Sequence, residues 1–133
     1  MAEADKAALD VLGDTTPAFT LAYLRSSPDC VKLLNTVGRI SFMSENGMCA
    51  MELGSPADVV GKAWWELWPA NSQNMIKTQF DKSMLGEICR FTGSCPTGSG
   101  EMRDWDITVS PVQNEDGSIT SVLAVSRDIT PMA

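Results

Sequence analysis

The chain has 133 residues, with 10 Lys plus Arg against 17 Asp plus Glu, a formal net charge of −7 and a pI near 4.4. At 44% hydrophobic and 20% charged it is long and apolar enough for one real core, which excludes a disordered chain. The acidic balance argues against a nucleic-acid partner, and the absence of histidine removes histidine-based catalytic dyads, histidine-ligated zinc and histidine-ligated haem.

No apolar run reaches the roughly 18 residues of a membrane span. The opening MAEADKAALD has neither a basic nor an apolar stretch of the signal-peptide kind, so the cytoplasm is the expected compartment. Cys30, Cys49, Cys89 and Cys95 are then expected as free thiols, and no CxxC pair points to zinc.

Residues 1–27 read as a helical cap or linker. Ala4, Ala7, Ala8, Val11 and Leu12 fall at helical spacing, Gly13 stops that helix, and Asp14 to Pro17 starts a second one through Phe19, Leu21 and Leu24. Val31 to Leu34, a turn with Gly38 at positive φ, and Ile40 to Met43 predict a β-hairpin. Ser44 is an N-cap for a short helix through Met51 that Leu53-Gly54 closes. Pro56 opens a further helical turn that Gly61 ends.

Trp64 to Trp68 form an aromatic cluster. The longest predicted helix runs from Ser72 to Leu85, with Ile76, Phe80 and Met84 as its apolar stripe, Met75 widening it and Gly86 as C-cap. Three strands follow: Ile88 to Cys95, Met102 to Val112 and Ile119 to Ile129, with Asp116-Gly117 as a hairpin turn. Two strands, a helical excursion and an antiparallel meander predict an α+β domain with helices on one side of a single sheet.

At this level of detail the chain resembles a PAS domain over about residues 28–130, the sensor module of bacterial sensor kinases. The marks are Ser27-Pro28-Asp29-Cys30-Val31, Gly38-Arg39, Asn46, Gly61-Lys62-Ala63-Trp64 and Leu67-Trp68-Pro69. They continue with Phe91, Cys95-Pro96-Thr97, Trp105-Asp106, Val109-Ser110-Pro111, Asp116-Gly117 and Ser126-Arg127-Asp128-Ile129-Thr130. The resemblance implies a five-stranded antiparallel sheet in the order 2-1-5-4-3, with short helices enclosing a pocket on one face. It also implies a sensory role relayed to an effector such as a histidine kinase, in cis or in trans, and no catalytic site.

Strand parity and the helical stripe predict an apolar ligand pocket lined by Met43, Met48, Met51, Trp68, Ile76, Phe80, Trp105, Ile107, Val109, Val122 and Ala124. Cys95 joins them because it matches a pocket-facing position in related domains. Asp104 and Asp106 should lie on the opposite strand face. The ligand stays open. Haem-binding relatives use a histidine that is absent here, and the stretch Gly61 to Trp65 lacks the cysteine of flavin-adduct relatives. A non-covalent flavin stacked on Trp64, Trp65, Trp68 or Trp105 remains an option beside tryptophans that simply fill the pocket.

At the other end, Asp128, Ile129 and Thr130 are expected to relay the signal, with Asp128 held by hydrogen bonds or a basic neighbour. Thr130-Pro131 should start an output helix over residues 131–133. That predicts either an excised sensor domain or a free-standing one that acts in trans. A homodimer through residues 1–27 and the outer sheet face is the expected assembly. A ligand-free interaction module is the alternative.

Overall fold

The computed structural model describes residues 2–131. Helices α1 (Glu3–Leu12) and α2 (Thr16–Ser26) are joined by a 3-10 turn at Gly13–Thr15, and neither buries a residue. Leu9, Val11, Phe19, Leu21 and Tyr23 are exposed. The segment is nevertheless tied to the body of the domain. The Asn46 side-chain amide donates to the carbonyls of Leu24, Arg25 and Ser27 at 3.2, 3.0 and 2.7 Å, at the helix end where carbonyls lack intrahelical partners.

Strands β1 (Cys30–Leu34) and β2 (Ile40–Met43) form the predicted hairpin. Its turn puts Gly38 at φ 86°, and a Cβ there would run into the Trp65 ring. Ser44 caps α3 (Glu45–Ala50), accepting from Gly47 N, and also accepts from Val31 N at 3.1 Å. Gly47 lets α3 press on β1, since an added Cβ would meet Cys30 Cα at 2.9 Å.

Helix α3 ends earlier than expected. Leu53-Gly54 does not close it; Glu52 does, at φ 55°, with Glu52 N donating to Cys49 O and Leu53 N to Met48 O at 2.8 Å. This is the double-bonded helix stop that glycine usually provides.

Short 3-10 turns at Pro56–Asp58 and Trp64–Leu67 lead to α4 (Gln73–Met84). Ile76 and Phe80 are buried as predicted and Met84 is half-buried. Met75 does not widen the stripe but is exposed, and the buried partner on that face is Ser83. Strands β3 (Cys89–Pro96), β4 (Met102–Gln113) and β5 (Ile119–Asp128) complete the sheet. Ile88 and Ile129 fall just outside β3 and β5, although Ile129 N still donates to Asp104 O at 2.9 Å. Thr130 and Pro131 are not helical, because Thr130 bonds back to the sheet, and the rest of the expected output helix lies outside the described residues.

The five strands are antiparallel in the order β2-β1-β5-β4-β3. On the inner face, Cys30, Leu34, Trp105, Ile107, Val109, Val122 and Ala124 alternate into a core closed by Ile76 and Phe80 of α4 and by the tryptophan turn. Asp104 is exposed and Asp106 half-buried on the outer face, as the alternation of β4 requires.

Candidate functional site

Every side chain predicted to line a pocket lies in one core cluster, with Met48 at its partly buried rim. The cluster is tightly filled. Between sheet and helices it leaves a void of only about 10 Å³, lined by Lys32, Met51, Trp64, Leu67, Trp68, Cys95, Trp105 and Ser126. That is about the space of one water molecule. Of these, Met51, Trp68, Cys95 and Trp105 belong to the lining that the sequence predicts, Trp64 to its tryptophan cluster, and Lys32, Leu67 and Ser126 to neither. Met43, Ile76, Phe80, Ile107, Val109, Val122 and Ala124 are core around the void rather than its wall.

Three indoles shape this space. Trp64 and Trp68 meet edge-on with centroids 6.4 Å apart, and Phe91 packs on both. Trp105, 1% exposed, donates its indole N–H to Cys95 O at 3.4 Å. Trp65 points elsewhere, onto Phe80 and under Lys77 Nζ. Any ring, a flavin's included, would have to displace side chains from a space of about 10 Å³. Cys95 Sγ donates to Leu67 O at 3.1 Å, and burial pushes its thiol up to about 11, so it stays protonated and unreactive near neutrality.

The strand parity that buries Cys30 and Leu34 also turns Lys32 inward, where it is 3% exposed. Parity was the signal that would have found it, and likewise Ser126, two residues beyond Ala124 on β5. Outside the void, a groove of about 470 Å³ shares Met51 and Leu67 with it and continues over Glu52, Val59, Lys62, Thr97 and Gly98.

From that groove a chain of polar contacts runs to the end of β5. Gly98 N donates to Met51 O at 2.6 Å, and Thr97 Oγ1 donates to Glu52 Oε1 at 2.7 Å. Arg103 on β4 bridges Glu52 Oε1 at 3.5 Å and Asp128 Oδ2 at 3.0 Å. Asp128 Oδ1 accepts from Thr130 N at 2.9 Å, and Thr130 Oγ1 accepts from Asp104 N at 2.9 Å. Asp128 is thus held on both sides, as expected.

Hydrogen bonds from Thr97 and Ser99, with Arg103 nearby, hold the Glu52 carboxyl below its usual range. Burial would raise the Asp128 carboxyl, but the bonds from Thr130 and Arg103 outweigh it and the net shift is downward. Asp106 is lowered by its hydrogen bond from Arg90. A carboxylate with a depressed folded pKa binds fewer protons folded than unfolded. Its stabilisation is therefore complete above the ordinary value near ~4 and is lost as pH falls through the folded value. Unfolding in urea should show stability falling as pH drops below about 4; a flat or rising curve there contradicts this electrostatic picture.

Among the described residues no cluster of three His, Cys, Asp or Glu is placed to hold a metal ion, and no helix is long and apolar enough to cross a membrane. A family model described as the PAS fold matches residues 24–132. The chain belongs to the PAS fold family. This PAS domain is similar to that of an HTR-like protein from Haloarcula marismortui, at 22% identity and a TM-score of 0.71, over 87% of this chain and 99% of that one. It is also similar to a PAS domain from Colwellia psychrerythraea, at 14% identity and a TM-score of 0.74, over 85% and 96%. An RNA-binding light-oxygen-voltage receptor matches at 13% identity and a TM-score of 0.71, over 86% of this chain and 33% of the receptor. At these identities the likeness is one of fold. No curated protein matches the sequence.

Proposed function

We propose that this PAS domain is a non-catalytic sensor that takes a small ligand between its helices and sheet and passes the state to an effector, such as a histidine kinase, in cis or in trans. The observation that carries this reading is a connection: Met51 walls the void, and its neighbour Glu52 is joined through Arg103 to Asp128 at the end of β5. A ligand that moves Met51 would strain Glu52, already at φ 55°, and so bias the position of Asp128, Ile129 and Thr130. The free cysteines fit a reducing, cytoplasmic setting.

The test combines native mass spectrometry and an absorption spectrum of the purified domain with the activity of a fused effector. A bound small molecule whose removal changes effector output supports the sensor. A domain that purifies empty, and whose fused effector ignores the void-filling Cys95→Met substitution, favours the ligand-free interaction module instead.

The proposed assembly is a homodimer through α1, α2 and the outer sheet face. Among the described residues no element covers the exposed apolar side chains of α1 and α2, and Phe42 of β2 is a further exposed apolar side chain near Leu21 and Leu24. Deletion of residues 1–25 should shift the domain toward monomer in sedimentation. Unchanged dimer affinity after that deletion removes the segment from the interface.

A further inference from the structure

Lys32 is the one feature of the void that packing does not explain. An ammonium can donate three hydrogen bonds. Among the described residues Lys32 Nζ donates one, to Cys30 Sγ at 3.0 Å, and it takes part in no salt bridge. Sulfur is a weak acceptor, so a 3%-exposed cation is left nearly without compensation. The adjacent carboxylate does not help: Asp29 is turned to the other sheet face, where it pairs with Arg127 at 3.3 Å. Cys95, the other titratable group lining the void, stays a neutral thiol for the reason given above.

The rest of the wall is chemically specific. Trp64, Trp68 and Trp105 offer indole surfaces, and Ser126 adds a hydroxyl-bearing side chain to the lining. Met51 and Leu67 line both the void and the outer groove. Methionine is the side chain best suited to swing aside for a guest. Because the space between these groups is about 10 Å³, the guest must be small and must displace those two side chains.

We propose that Lys32 is the anchor for the carboxylate of a small aromatic acid, which enters past Met51 and Leu67 and lays its ring against the tryptophans. This rests on the ligand-sensing reading above and deepens it. The ammonium selects the charge, since a buried cation without a counter-ion favours an anion over a neutral isostere. The indoles select the ring. A fully hydrated inorganic anion gains nothing from three indoles and should not compete.

The experiment titrates the full chain with benzoate, benzamide and inorganic phosphate, read by tryptophan fluorescence and calorimetry. Benzoate should bind, and benzamide should bind about tenfold more weakly or less. Lys32→Met should weaken benzoate about ten- to hundredfold and leave benzamide unchanged, while the domain stays folded, because methionine fills the same apolar space. Lys32→Arg, which keeps the charge, should retain part of the preference. Equal binding of benzoate and benzamide, or a Lys32→Met domain that binds benzoate as before, overturns the anchor while leaving a ligand pocket intact. Phosphate binding as tightly as benzoate overturns the aromatic class. Failure of benzoate to bind at millimolar concentration also overturns the inference; the sensor reading is then decided by its own fused-effector assay.

Discussion

Trp105→Ala should lower the unfolding free energy by about 3–5 kcal/mol, the usual range for deleting a fully buried tryptophan. The indole is 1% exposed, projects inward from the first half of β4 and adjoins the void. Its removal turns a water-sized space into a large cavity beside Lys32 and frees Cys95 O of its side-chain donor. The backbone cannot collapse to fill it, because Trp105 is paired on both sides, with Gly93 of β3 and Asp128 of β5. A urea denaturation curve measures the effect as a lower midpoint. Trp105→Phe, which keeps most of the ring but loses the indole N–H, should lose markedly less. A Trp105→Ala domain as stable as the parent would mean that the core is not organised around this residue.

Asp128→Ala should leave the fold nearly intact, at a cost of about 1 kcal/mol for a lost capping-type bond, yet abolish the stimulus response of a fused effector. Asp128 is where two elements meet: Arg103 reaches it from β4 and the groove, and Thr130 N reaches it from the exit of the chain. Without the carboxylate, Arg103 keeps Glu52 and Glu101 but has no hold on the junction. Arg103→Ala should produce the same uncoupling from the other side of the pair, with the pocket unaltered. A full response from the Asp128→Ala fusion rules out this route of relay. A response lost together with the fold would show instead that Asp128 is structural, and circular dichroism separates the two.

The parts legible in the sequence were those with local causes. The β4 alternation of Trp105, Ile107 and Val109 against Asp104 and Asp106 reads directly as two faces, and the inner-face residues are buried. Ser44 at a helix start and Gly38 in a tight turn are short-range chemistry, and both are found in those roles. Lys32 was passed over because Val31 to Leu34 reads as a continuous apolar run, in which a lysine looks like an exposed exception. Only the pairing of β1 between β2 and β5 shows that it shares a face with Cys30 and Leu34. Glu52 was missed as a helix stop for a similar reason. Glutamate is not a residue that local propensity places at positive φ, and its carboxylate is bound by Thr97 and Arg103, residues far along the chain.

What the sequence by itself determined is therefore the α+β class, the order of elements and most of the apolar core, because each follows from periodicity and turn chemistry over a few residues. What only the tertiary structure decided is how much room that core leaves and which charges meet. The void depends on how the Trp64–Trp68 pair of one turn sits relative to Trp105 of β4. The contacts from Glu52 through Arg103 to Asp128 join the turn after α3 to β4 and β5 by side chains whose separation in sequence says nothing about their distance. Volumes and ion pairs between distant segments come into being only when the chain has closed on itself, so no reading of local pattern contains them.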